Sequence, residues 1–205
     1  MRLHTQGILF GIASLLLAAG SRPASSQQLF FDNFNAEPGF ALNYTGFLNW
    51  NVTRGTVDVY QPYAGLGFGV SVDMDGSSSA AGRLETKTTF SLNPGSYILE
   101  WDMGKNGDNL ESMNVTLGGA YTEIFSDGNG YPTPVHILRN INVGLGGDSG
   151  VIAFDHAGGD NGGYVIDNVT LTAVTPTADT PEPGTLALVG ALSLVGVRFL
   201  KRRRK

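Results

Sequence analysis

The stretch GSYILEWDMG (Gly95–Gly104) decides the fold class. Successive side chains of an extended chain point to opposite faces, so Tyr97, Leu99, Trp101 and Met103 share one side, and Ile98, Glu100 and Asp102 share the other. That alternation marks a strand with one face on a core. GVSVDMDG (Gly69–Gly76) repeats it, setting Val70, Val72 and Met74 against Ser71, Asp73 and Asp75, and SMNVTLGG (Ser112–Gly119) aligns Met113, Val115 and Leu117.

Working outward, further strand-like runs are LFFDNF (Leu29–Phe34), FLNWNVT (Phe47–Thr53), TVDVY (Thr56–Tyr60) and RLETKTTFSL (Arg83–Leu92). YTEIFS (Tyr121–Ser126), VHILRNINV (Val135–Val143), GVIAFDH (Gly150–His156) and YVIDNVTLTAV (Tyr164–Val174) complete the series. In the last run the apolar phase slips between Ile166 and Val169, which predicts a bulge at Asp167 and Asn168. In SLNPG (Ser91–Gly95), Pro94 fixes φ and Gly95 accepts positive φ, the chemistry of a turn. No internal stretch carries a helical apolar period, so the expected fold is all-β: two packed antiparallel sheets, with helices only at the chain ends.

Those ends have a different character. Arg2 and His4 precede GILFGIASLLLAAG (Gly7–Gly20), a basic start followed by an apolar run of signal-peptide length. Ala24 and Ser26 fill the two specificity positions for a cut before Gln27, which implies export and signal peptidase as a processing partner. At the other end, Thr185–Leu200 is apolar or small apart from Arg198, and as a helix it reaches roughly 24 Å against a hydrocarbon core of about 30 Å. Lys201, Arg202, Arg203, Arg204 and Lys205 follow as a basic stop expected to stay on the cytoplasmic side.

Pro181, Glu182 and Pro183, then the apolar stretch, then the arginine-rich terminus, resemble the PEP-CTERM sorting signal of Gram-negative bacteria. The resemblance implies a tail recognised by an exosortase, a transient membrane anchor and delivery to the cell surface or exopolysaccharide matrix. The chain therefore divides into a signal peptide (1–26), a β-sandwich domain (27–174), a linker (175–180) and a sorting tail (181–205). A second resemblance rests on NWNVTRGTVDVY, VDMDGS, TTFSLNPGSYILEWDMGKNG and GDNGGYVIDNVTL, which are similar to galactose-binding-like jelly rolls. It implies the fold of many carbohydrate-binding modules, in which a structural calcium ion often sits near the chain ends.

Between the targeting segments, residues 27–180 carry five basic residues (Arg54, Arg83, Lys87, Lys105 and Arg139) against seventeen acidic ones, a formal charge of −12 compared with −5 for the whole chain. Nucleic acid and anionic membranes are poor partners for such a surface. The chain has no cysteine, which excludes disulfides, thiolate metal sites and cysteine catalysis, and only His136 and His156 lie in the domain.

Asp73 and Asp75, two apart on one strand face, with Asp167 and further oxygens from Asp32 or Asp160, are the candidate calcium ligands; the alternative is a solvated acidic face leading into a turn. An EF-hand is excluded, because its twelfth position would be Leu84. SDGNGY (Ser126–Tyr131) and AGGDNGGY (Ala157–Tyr164) lack the following helix of a phosphate loop and read as turns, with Tyr131 and Tyr164 exposed at a rim. Tyr44, Trp50, Tyr60, Tyr63, Tyr121 and Tyr131, beside Asn43, Asn49 and Asn51, are available to stack on and hydrogen-bond sugars, whereas Trp101 belongs to the core. Asn43, Asn51, Asn114 and Asn168 open N-x-T sequons that reflect strand composition in a bacterial chain. With no G-x-S-x-G elbow, the expected function is a non-catalytic surface protein binding exopolysaccharide. A structural or adhesive protein with protein partners is the alternative, and a polysaccharide hydrolase the third choice.

Overall fold

The computed structural model describes residues 25–61, 69–78, 80–107, 110–126 and 134–175, and Ala24–Pro176 form one compact unit. Residues 1–24 of the expected signal peptide, the expected sorting motif Pro181–Pro183, the apolar run and the basic stop lie outside the described residues, as do Tyr63 and Tyr131. Among the described residues every regular element is a strand: β1 (Ser25–Asp32), β2 (Phe40–Ala41), β3 (Trp50–Arg54), β4 (Asp58–Tyr60), β5 (Ser71–Asp73), β6 (Arg83–Thr86), β7 (Phe90–Leu92), β8 (Gly95–Lys105), β9 (Ser112–Leu117), β10 (Tyr121–Ser126), β11 (Val135–Val143), β12 (Asp148–Gly150), β13 (Ile152–Ala157) and β14 (Tyr164–Thr175). No helix among them is long and apolar enough to cross a membrane.

The strands form an antiparallel β-sandwich. One sheet runs β11-β8-β14-β5-β4-β2, with β1 also on β14; the other runs β10-β9-β13-β6-β3, and β12 and β7 pair separately. The chain crosses repeatedly between the two main sheets, the connectivity expected of a jelly roll. β8 behaves as its alternation predicts: Tyr97, Leu99, Trp101 and Met103 are buried, while Ile98, Glu100 and Asp102 keep partial contact with solvent. Trp101 meets Phe125 of β10 and Phe154 of β13 edge-on at 5.4 and 5.7 Å, so the two sheets share one aromatic core. Along one side the gap between the sheets is closed by Arg139 of β11, which holds Glu123 of β10 through two hydrogen bonds of 2.6 and 2.7 Å and lies over the Phe125 ring.

One edge of β14 pairs with β8, and its other edge is divided: Val165 and Ile166 pair with β5, Val169–Thr175 with β1. The change occurs at the expected bulge, where the register slips between Asp167 and Thr170 and Asn168 takes a φ of 53°. A continuous row, Ala41–Val59–Val72–Ile166–Met103–Val135, crosses six strands of this sheet. A second row, Ser26–Val174–Ser96–Asn142, crosses it near the end where both chain termini leave the domain. Met103 lies seven residues along β8 from Ser96, about 23 Å at about 3.3 Å per residue.

The run Arg83–Leu92, expected as one strand, is two. β6 belongs to the second main sheet and β7 to the small one, because the chain turns at Lys87, whose N–H donates to Asn49 O and whose Nζ donates to Phe47 O. The Asn49–Phe47 carbonyls capture that residue through non-local contacts invisible to strand periodicity.

A pinned aromatic edge as candidate functional site

Among the described residues, an exposed aromatic group is built around a buried carboxylate on β4. Asp58 is buried, and its Oδ1 accepts from Asn43 N (2.6 Å) and Ser77 N (3.2 Å), its Oδ2 from Ser77 Oγ (2.6 Å) and Tyr60 Oη (3.0 Å). Four donors on one carboxylate compensate its loss of water. Asn43 reaches it because its backbone is left-handed, φ 50°, a conformation asparagine tolerates. Nearby, Glu37 accepts from Leu48 N (2.7 Å) and Tyr44 Oη (3.0 Å), and Tyr44 N donates to Val57 O (2.8 Å). The segment between β1 and β3 is thus fastened at both ends of its length to β4 and to itself.

This framework carries β2 along the free edge of the sheet. Ala41 turns inward onto the core, so Phe40 and Leu42 turn outward, and Phe40 pairs with Tyr60 across the strands. The two rings stand 5.6 Å apart at 65°, with Phe40 65% exposed and Leu42 49% exposed. Tyr60 is fixed through its hydroxyl by Asp58, so the aromatic surface is preorganised. At Gly39 a Cβ would lie 2.4 Å from Gln61 Oε1, so glycine there allows the Gln61 amide to lie against the same edge.

The expected calcium ligands have a different setting. Asp73 and Asp75 are fully buried and Asp167 nearly so, which overturns the solvated acidic face. Asp73 Oδ1 accepts from Asp75 N (3.0 Å) and its Oδ2 from Asn106 Nδ2 (2.6 Å); Asp75 Oδ2 accepts from Asp160 N (3.0 Å), and Asp167 Oδ1 from Asn168 N (2.7 Å). Burial pushes the Asp73 carboxyl up to about 7 and that of Asp167 up to about 6, against hydrogen bonds that pull both down. Asp73 and Asp75 are adjacent, but Asp167 is not gathered with them, and among the described residues no three His, Asp or Glu side chains are grouped to hold a metal ion. Asp32 is likewise engaged, accepting from Phe34 N, Asn49 Nδ2 and Trp50 Nε1 at 2.8 to 3.0 Å. As arranged, these carboxylates face N–H donors, but Asp75 Oδ1 is buried with no hydrogen-bond partner among the described residues.

Asp75 also approaches a pair the sequence did not single out. Glu111 and His156 are buried with Oε2 and Nε2 3.3 Å apart, and Tyr164 N donates to the same His156 nitrogen at 3.3 Å. Gly158 makes room, since a Cβ there would come within 2.8 Å of Asp75, His156 and Glu111 alike. Glu111 follows no periodic run, so only tertiary structure reveals the pairing. Asp73, Asp75 and Glu111 are closed to a polymer, so a hydrolytic carboxylate pair does not arise among them.

Among the expected sugar-stacking aromatics, Trp50 is buried with its indole N–H on Asp32, and Tyr44 and Tyr121 are half-buried with hydroxyls on Glu37 and Glu123; Tyr164, expected exposed at a rim, is buried. Tyr60 is half-buried in the same way as Tyr44 and Tyr121, with its hydroxyl on Asp58, and the exposed Phe40, absent from the sequence-derived group, stands against its ring. Two apolar residues spaced by Ala41 are the signal that would have found this edge.

No family model matches the chain, and no curated protein matches it. Solved structures similar to it include the K3 adhesin domain of Lys-gingipain from Porphyromonas gingivalis, 16% identical over 72% of this chain and 99% of that one, with a TM-score of 0.41. A CBM22-1 xylan-binding domain of Paenibacillus barcinonensis Xyn10C is 12% identical over 76% of this chain and 100% of that one (TM-score 0.42). A family 35 carbohydrate-binding module of Clostridium thermocellum is 19% identical over 56% and 86% (TM-score 0.37).

Proposed function

We propose that the chain is an exported, non-catalytic protein of the cell surface or extracellular matrix, sorted by an exosortase through its C-terminal tail, whose β-sandwich binds exopolysaccharide at the Phe40–Tyr60 edge. The observation that carries the binding is the aromatic pair itself: a mostly exposed Phe40 beside a Tyr60 whose hydroxyl is tied to buried Asp58. Sugars present apolar ring faces rimmed by hydroxyls, and such a surface, bordered by the Gln61 amide, offers stacking with little further loss of side-chain entropy. The domain's formal charge of −12 favours neutral polymers over polyanions. Export and sorting are supported by the signal-like start and by Pro181–Glu182–Pro183 with its apolar run and basic stop.

Affinity electrophoresis through gels containing neutral polysaccharides tests the binding. The protein is expected to be retarded, and Phe40→Ala to weaken retention about tenfold, the equivalent of roughly 1.4 kcal/mol of stacking. Phe40 is exposed, so its loss leaves the fold intact. Absence of retardation on every polymer would favour the structural or adhesive role with protein partners.

A further inference from the structure

Asn–Gly pairs stand at 106–107, 129–130 and 161–162, and the first and last lie among the described residues. In such a pair the asparagine side chain and the following main-chain nitrogen meet with little hindrance, because glycine has no Cβ in the way. The fold brings the two described pairs together. A cavity of about 200 Å³, at the end of the sandwich where β8 stops and β14 starts, is lined by Asn106, Gly107, Glu111, Asp160, Asn161 and Gly162. A Cβ on Gly162 would lie 2.8 Å from Asn106 O, so the two segments touch.

They are held differently. Asn106 is half-buried, its Nδ2 donates to Asp73 Oδ2 at 2.6 Å, and its main-chain N–H donates to Gly163 O at 2.8 Å, so its side chain is fastened to a buried carboxyl. Asn161 is exposed, with a left-handed backbone of φ 70°. The N–H that follows it, that of Gly162, donates to Asp160 Oδ1 at 3.3 Å. The Asp160 carboxylate thus stands at the proton that Gly162 N must lose to become a nucleophile.

We propose that Asn161–Gly162 is a self-modifying site in which Asp160 is the proton acceptor. Gly162 N attacks Asn161 Cγ, its proton passes to Asp160, and the new N–C bond closes a five-membered succinimide. The Cγ–Nδ2 bond breaks, and Nδ2 leaves as ammonia with the proton that Asp160 held. Water then adds to one of the two imide carbonyls: opening at Cγ leaves aspartate, and opening at the main-chain carbonyl leaves isoaspartate, with the chain rerouted through Cγ. Water enters, ammonia leaves and nothing is oxidised or reduced. Either product adds a negative charge to a rim that already holds Asp160 and Glu111. Isoaspartate also lengthens by one carbon the loop whose Asp160 N–H holds the buried Asp75 Oδ2 at 3.0 Å, so the modified domain is marked by age at this end.

The test compares the full-length protein with Asp160→Asn, which keeps an oxygen acceptor and the main-chain bond to Asp75 but removes the base. Both are incubated at neutral pH, folded and in urea, and amide-to-acid conversion is followed at each asparagine by peptide fragmentation. In the folded parent, conversion is expected at 161 well ahead of 106. Asp160→Asn is expected to slow 161 by about tenfold, below the usual range of general-base catalysis because water competes at an exposed carboxylate, and to leave 106 unchanged. In urea the parent and the variant are expected to convert at equal rates. Equal conversion at 161 and 106 in the fold, no slowing by Asp160→Asn, or the same slowing in urea as in the fold overturns the proposal.

Discussion

β8 and β5 are strands of one sheet with the same sequence alternation and opposite surroundings. In β8 the polar face, Glu100 and Asp102, keeps contact with water, and Asp102 binds His136 at 2.8 Å. In β5 all three residues are buried, because Asn106 and the turn after Asp73 close over the face that alternation assigns to solvent. Period two reports which residues share a face; it does not report whether that face stays open. Where it is closed, stability depends on how completely buried carboxylates are hydrogen-bonded, where elsewhere it depends on apolar packing.

The sharpest contrast is drawn by deletion on each side. Trp101→Ala removes the ring joining both sheets and should cost about 3–5 kcal/mol in denaturant unfolding. Asp58→Ala, in the closed region, strands four donors and should cost about 2–4 kcal/mol, although it deletes only a small polar group. A loss below that of an ordinary surface substitution would show that water reaches the closed face and would dissolve the distinction between the two strands.

A third contrast concerns protons. Asp73 titrates at about 7 in the fold against 3.8 in an unfolded chain, so between these values the native state holds a proton the unfolded state has released. Stability from this carboxyl is greatest below about pH 4 and falls as pH rises to about 7, by at most about 1.4 kcal/mol per pH unit. Asp167, at about 6, adds a decline over a narrower window. Asp73→Asn should flatten the profile measured by melting between pH 4 and 8 and leave the variant more stable than the parent at the alkaline end. An unchanged profile would mean that the closed face is better solvated than its burial indicates.

Much of the fold was legible because its long strands bury one face: β8, β9 and β11 follow their apolar periods, and the phase slip at Asp167–Asn168 announced the bulge of β14. The candidate site was far less legible. Trp50 looked like a sugar platform, but Asp32, eighteen residues away, satisfies its indole N–H and allows complete burial. Asp58 drew no notice, since three of its four bonds come from Asn43 and Ser77, residues brought to it by the fold. Phe40 was overlooked because a two-residue edge strand has too little length to show a period.

The pairing of β1 with β14 has a consequence in time. β14 sits between β8 on one edge and β5 and β1 on the other, yet it is the last of the described strands along the chain, and Ser25, the partner of its Thr175, lies some 150 residues earlier. Loop closure over such a distance comes late and slowly, so the larger sheet has no centre until β14 is made. Until then the described strands of that sheet cannot close around their central member.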